Sequence, residues 1–166
     1  KAEFISPDPL EFLYRYEDPL DQEIVGLLAS SLAYGRVSQI VRSVDRLLVR
    51  LGKSPRVFLE DADEVLLRDT FYGFKHRFTT DSELVDLLLG IQGAIRRYGS
   101  LRACFLAGLS RGDETTISAL SAFTRVINIR TGSQFNSLIP QPTKKSACKR
   151  LHLFLRWMIR SDEIDP

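Results

Sequence analysis

Cysteine, histidine and long apolar segments are scarce in this chain of 166 residues. Its two cysteines are too few for a disulfide framework, and with two histidines they lack the spacing of a metal site, so neither a metal nor a cofactor is expected. No apolar run approaches the roughly 18 to 20 residues needed to cross a bilayer, and the first residues do not open a signal peptide. We therefore expect a cytoplasmic protein with buried, reduced thiols and no membrane contact.

Acidic residues are absent from one long stretch of the chain. The net charge is only +2, but the segment from Thr115 to Ser161 holds eight basic residues and no acidic one. An uneven distribution of this kind points to a polyanionic partner.

Alternation of apolar and polar residues with period two is also missing, whereas apolar residues recur at steps of three and four. Hydrophobic residues make up 44% of the chain, which is enough for a core. We predict a single all-α domain over residues 1–166, with a loop at 131–145 before a final basic helix. The predicted helices lie near 7–16, 19–34, 37–51, 55–59, 63–69, 81–98, 100–108, 114–129 and 146–160.

The final helix is predicted to be amphipathic, with charge and apolar surface on opposite sides. At about 100° per residue, one face carries Lys145, Lys149, His152, Arg156 and Arg160, and the other carries Ala147, Leu151, Phe154, Leu155 and Met158. Arg150 and Trp157 lie at the boundary, where Arg150 can stack on an aromatic ring and Trp157 is expected at the edge of the core. A solvated face and a phosphate-binding face are both consistent with these cations.

Two further features suggest contacts. In the helix predicted at 37–51, Arg42, Arg46, Arg50 and Lys53 form a basic row, which is more typical of a solvated face than of a phosphate track. Earlier, Tyr34 and Arg36 flank a glycine at a turn between helices, where an aromatic ring and a guanidinium are well placed for a functional contact.

Three segments of the chain resemble an uncharacterised bacterial family known only as a conserved domain of unknown function. They are DQEIVGLLASSLAYGR, YGFKHRF, and SACKRLHLFLRWMIR followed by DEIDP, and the resemblance covers nearly the whole chain. In that family the chain continues to a segment with an Asp-Thr-His core, so the resemblance implies that this sequence is an N-terminal part.

That family is in turn similar to helix-hairpin-helix DNA glycosylases of the endonuclease III group. This similarity implies a multi-helix orthogonal bundle in which SSLAYGR takes the place of a turn that enters DNA. It also implies that IPQPTKKSACKRL takes the place of the phosphate-binding hairpin, with Lys149 matching the lysine nucleophile. Lys144 and Lys145 are the alternative matches.

These observations lead to two functional hypotheses. The first is a DNA-binding protein with a glycosylase-like fold that acts in base-lesion recognition or repair. Its nucleic-acid-binding residues would be Tyr34, Arg36, Lys144, Lys145, Lys149, Arg150, Arg156 and Arg160. The alternative is a helical module without catalytic activity that binds RNA or an acidic protein.

Overall fold

A computed structural model of the chain describes residues 8–131, 136–144 and 146–159. This part is mostly helical, which confirms the predicted all-α class. The α-helices are α1 (Pro19–Ser31), α2 (Val37–Leu51), α3 (Pro55–Asp61), α4 (Glu64–Phe71), α5 (Asp81–Tyr98), α6 (Leu101–Leu106), α7 (Ile117–Ile127) and α8 (Lys149–Ile159). Short 3-10 helices lie at Pro9–Arg15, Asn128–Thr131 and Pro142–Lys144, and two short strands form a hairpin, β1 (Lys75–His76) and β2 (Thr79–Thr80).

Local capping signals explain where several helices begin. Asp18 and Ser54 accept hydrogen bonds from the backbone N–H groups of Leu20 (2.8 Å) and Val57 (3.2 Å), and a proline follows each cap. The predicted starts at 19, 37, 55 and 81 are confirmed. The helix predicted at 7–16 is instead a 3-10 helix that begins at Pro9; Pro7 lies outside the described residues.

Helix α8 begins three residues later than predicted, at Lys149. The preceding residue, Cys148, is buried, has a φ of 46°, and its thiol lies 3.5 Å from the carbonyl oxygen of Pro140. This left-handed residue separates the helix from Ser146 and Ala147. Ala147 is therefore exposed, contrary to its predicted place on the apolar face.

The core is built around α5, which packs against α3, α4, α6 and α7, and around α1, which packs against α8. Glycine permits the closest approaches. A Cβ atom at Gly90 would lie 1.9 Å from the carbonyl oxygen of Ile127, and one at Gly26 would lie 3.1 Å from the Cε atom of Met158. A side chain at Gly90 would therefore collide with the backbone of α7, whereas one at Gly26 would require only a small shift of the flexible Met158 side chain on α8.

Two buried carboxylates on α1 hold the starts of other helices. Asp21 accepts hydrogen bonds from the Ser54 hydroxyl (3.0 Å) and the Arg56 N–H (2.7 Å) at the start of α3. Glu23 accepts from the N–H groups of Leu101 (2.6 Å) and Arg102 (2.9 Å) at the start of α6. Burial raises the pKa of Glu23, and the two N–H groups act in the opposite direction. These acids therefore join α1 to distant parts of the chain.

The hairpin was not predicted from the sequence. Its register pairs Lys75 with Thr80 and His76 with Thr79, so only Arg77 and Phe78 form the turn. Strands of two residues are too short to show alternation. In the described part of the chain, no helix has the length and apolar character needed to span a membrane.

Candidate nucleic-acid interface

The predicted orientation of α8 is largely confirmed. Leu151, Phe154 and Trp157 are buried, whereas Lys149, His152 and Arg156 are exposed. Leu155 and Met158 are half-buried against the core. Trp157 is 4% exposed, so it lies within the core rather than at its expected place on the edge, and it offers no surface for stacking.

The predicted cations around α8 differ in their position. Lys149 is the first residue of α8, and Lys144 is exposed at the end of the 3-10 helix Pro142–Lys144. Arg156 lies two turns beyond Lys149 on the same face. Lys145 and Arg160 lie outside the described residues.

The ion pairs of the described residues leave these cations out. Arg15 pairs with Asp45, Arg56 with Glu60 and Arg68 with Glu64, each at 2.6 Å. Within residues 8–131, 136–144 and 146–159, no carboxylate pairs with Arg36, Lys144, Lys149 or Arg156. Their positive charge is therefore not neutralised by an acidic group of the described structure.

Arg150 has a different role from its neighbours on α8, because its guanidinium is half-buried and used within the protein. It donates one hydrogen bond to the carbonyl oxygen of Ser31 and one to that of Ser137, both at 2.5 Å. Its Cζ atom lies 4.9 Å from the ring centroid of Tyr34, so Arg150 stacks on an aromatic ring, as its position at the boundary of the apolar face allows. Burial lowers the pKa of Arg150. Arg150 thus joins α8 to the end of α1 and to the loop before the 3-10 helix Pro142–Lys144.

Tyr34 joins the end of α1 to the hairpin. Its hydroxyl donates to the carbonyl oxygen of His76 at 2.9 Å and lies within hydrogen-bonding distance of the Thr79 hydroxyl. Its ring stacks on Phe78, with centroids 4.9 Å apart and an interplanar angle of 26°, and meets the edge of His76 at 4.7 Å. The predicted contact residue is therefore the centre of an aromatic cluster, which we define as Tyr34, His76 and Phe78.

His76 is the buried member of this aromatic cluster. Its Nδ1 atom lies 2.9 Å from the Ser43 hydroxyl of α2, and its Nε2 atom lies 3.1 Å from the carbonyl oxygen of Tyr34. Burial lowers the pKa of His76, the hydrogen bonds to the backbone of Tyr34 and Leu32 oppose this shift, and the nearby charges of Arg77 and Arg150 favour it. His76 therefore joins the hairpin to α2 and to the turn after α1.

Two exposed arginines lie beside the aromatic cluster. Arg36 immediately precedes α2, and Arg77 occupies the hairpin turn. Gly35 has a φ of 97°, and a Cβ atom built there would lie 2.7 Å from the Cδ atom of Arg77. The Arg77 side chain therefore lies directly over the turn that precedes Arg36.

The basic row of α2 is exposed, as predicted. Arg42 and Arg46 on α2 face solvent, and Arg50 donates to the carbonyl oxygen of Thr70 at 3.1 Å. Lys53 is also exposed, but it lies beyond the end of α2 at Leu51 and does not continue the helical row. Helix α2 also contacts β1. The basic row therefore lies on the helix against which the hairpin packs.

Sequence reasoning missed His76, Arg77 and Phe78 as individual residues. They stand in YGFKHRF, one of the three segments that carried the family resemblance, but nothing local in that segment indicates that Tyr34, 42 to 44 residues earlier, is the partner of His76 and Phe78. In the structure the three segments meet, since Tyr34, His76 and Arg150 each come from one of them.

These contacts define an all-α protein in which a helix end, a small hairpin and a basic C-terminal helix meet at one aromatic cluster. The chain belongs to the family described as Protein of unknown function (DUF2400), whose model matches residues 8–166. No curated protein and no solved structure matches it.

Proposed function

We propose that this chain is a DNA-binding protein of the bacterial cytoplasm, with an architecture similar to helix-hairpin-helix DNA glycosylases and a role in base-lesion recognition or repair. Its phosphate contacts come from the cationic segment of Lys144 to Arg160 and from the turn that holds Tyr34 and Arg36.

The observation that carries this proposal is the set of exposed cations without an acidic partner in the described structure. Lys149 and Arg156 lie seven residues apart on one helix face, which corresponds to about 10 Å along the helix axis. Exposed cations that no carboxylate neutralises are available to displace the counterions of a phosphate backbone.

The contacts of Arg150 supply a second argument. They connect α8 with Tyr34, which precedes Arg36 by two residues, so the two predicted groups of contact residues belong to one connected part of the fold. A nucleic acid that binds α8 would thereby lie close to the aromatic cluster.

The test is the dependence of duplex DNA binding on salt, measured by fluorescence anisotropy with the wild-type chain. The logarithm of the association constant should fall linearly with the logarithm of the salt concentration, by about 0.9 for each phosphate neutralised. The double variant Lys149→Gln/Arg156→Gln should neutralise about two fewer phosphates and reduce the slope by roughly 1.8.

The control double variant is Arg15→Gln/Arg68→Gln, which changes the net charge equally but removes two arginines that are paired with carboxylates. It should leave the slope close to that of the wild type. Absence of binding at low salt, or equal slopes for the two double variants, would refute phosphate contact through α8.

The similarity to glycosylases adds a chemical proposal for Lys149. The exposed amine at the start of α8 would attack the C1′ aldehyde of an abasic sugar, and loss of water would form a C=N bond. Borohydride reduces that bond to a stable crosslink. Lys149→Gln should abolish crosslinking to abasic duplex while most duplex binding remains, and Lys144→Gln and Lys145→Gln test the two alternative lysines.

Binding without crosslinking would support the proposed DNA binding and contradict the proposed role of Lys149 as a nucleophile. Tighter binding to RNA or to an acidic protein than to duplex DNA would instead favour the helical interaction module without catalytic activity.

A further inference from the structure

Phe78 is an aromatic side chain that the hairpin holds out toward solvent. It occupies the second position of the two-residue turn and is 63% exposed, although burial of a phenyl ring is normally favourable. One side of the ring packs on Tyr34, and this degree of exposure leaves the rest of the ring accessible.

The ring of Phe78 stacks on a residue that is itself held in place by several contacts. Tyr34, on which it stacks, is held by its hydroxyl contacts to both hairpin strands and by Arg150, whose Cζ atom lies 4.9 Å from the Tyr34 ring centroid. A rigid ring loses little conformational entropy when a ligand stacks on it.

The turn itself has an uncommon backbone conformation. Arg77 has a φ of 55°, in the left-handed region that side chains other than glycine seldom occupy. The turn thereby presents Phe78 and a cation together, with the Arg77 side chain lying over Gly35. Glycine would suit the backbone better but would supply no charge.

Exposed cations lie on the hairpin that carries Phe78 and next to the turn that Arg77 covers. Lys75, Arg77 and Arg36 are exposed, and the sequence holds no acidic residue from Thr70 to Thr80. The next acid, Asp81, accepts hydrogen bonds from the N–H groups of Gly73 and Ser82, both at 2.8 Å. An accessible aromatic face among cations is the combination that binds an unpaired base and its flanking phosphates.

We propose that Phe78 is a stacking platform for an unpaired base in DNA, with Arg36 and Arg77 contacting the phosphates on either side of it. This inference rests on the proposed DNA binding and adds the preferred substrate class, which is duplex DNA that contains an unpaired nucleotide. A fully paired duplex offers no free base face to the ring.

The test compares two DNA duplexes of otherwise identical sequence, one fully paired and one with a single bulged thymine. The wild-type chain should bind the bulged duplex more tightly in fluorescence anisotropy at fixed salt concentration. Phe78→Ala should weaken binding to the bulged duplex by about 5- to 150-fold, the range for losing one base–aromatic stack, and should change binding to the paired duplex little. Phe78→Trp should retain the preference.

Tyr72→Ala is the matched control, because Tyr72 is an 82% exposed aromatic of the same segment that lies beside Arg68, Asp81 and Ser82. It should leave the preference unchanged. Circular dichroism melts establish whether each variant is folded. If Phe78→Ala does not fold, Phe78→Trp still tests the preference for the bulged duplex.

Equal affinity of the wild type for the two duplexes, or equal losses for Phe78→Ala and Tyr72→Ala, would overturn the platform while duplex binding stands. No binding to either duplex would overturn the proposed function itself. Tighter binding to an RNA hairpin with the same bulge would overturn the assignment to DNA.

Discussion

Arg150→Met should destabilise the fold more than the loss of any other charged side chain on α8. The guanidinium satisfies the carbonyl oxygen of Ser31, one of the last four of α1, which have no partner within that helix. It also satisfies the carbonyl oxygen of Ser137 and stacks on Tyr34. Methionine retains the apolar stem but supplies none of these interactions.

The magnitude follows from the hydrogen bonds and the aromatic stacking that the substitution removes. A hydrogen bond to a charged group contributes about 1.5–3 kcal/mol, and a cation–π contact at a partly exposed site contributes about 0.5–1 kcal/mol. Because Arg150 is only half-buried, water can replace part of this hydrogen bonding. We therefore expect the free energy of unfolding to fall by about 2–4 kcal/mol. Arg150→Lys, which retains the charge but not the planar fork, should lose about half as much.

The measurement is a urea melt followed by circular dichroism, with Arg156→Met as the control. Arg156 is exposed on the same helix, so its replacement should change the free energy of unfolding by less than about 0.5 kcal/mol. If Arg150→Met and Arg156→Met were equally stable, the inference that Arg150 joins α8 to α1 would be wrong.

Two further predictions concern stability. Because the pKa of His76 is lowered in the fold, the unfolded chain binds a proton first as the pH falls below about 6.5, so stability should decline from there toward the folded pKa. His76→Gln should lack this pH-dependent loss of stability in melts across pH. The difference between variant and wild type isolates the contribution of His76 from that of Glu23, whose raised pKa adds stability as the pH falls toward the ordinary pKa of a glutamate. Leu151→Ala, at a fully buried position, should lower the free energy of unfolding by about 2–5 kcal/mol, whereas Leu155→Ala should lower it by about 1–2 kcal/mol because Leu155 is half-buried. Equal losses in urea melts would contradict the orientation of α8.

Most helices were predictable because their signals are local. A cap such as Asp18 or Ser54 is followed directly by the proline and the helix that it starts, and the apolar spacing in α2 and α8 reports the buried face. The left-handed conformation of Cys148, which delays the start of α8, has no comparable local signal because cysteine seldom adopts it.

The candidate site was predictable only in part. Local patterns indicated that Arg150 lies at the edge of the apolar face of α8 and that Tyr34 lies at a turn. They could not indicate that these two residues stack on each other, because the contact joins elements more than a hundred residues apart. The capping of α6 by Glu23, 78 residues earlier, was hidden for the same reason.

The residues alone therefore determined the helical class, most helix starts and the cationic character of α8, all of which depend on near neighbours in the chain. Packing between distant elements decided the rest. It brought the hairpin against Tyr34, committed Arg150 to backbone carbonyls and left Phe78 exposed among cations. Hydrophobic periodicity and helix-capping patterns depend on a few consecutive residues. Each of these interactions, by contrast, forms only once the chain has closed a long loop.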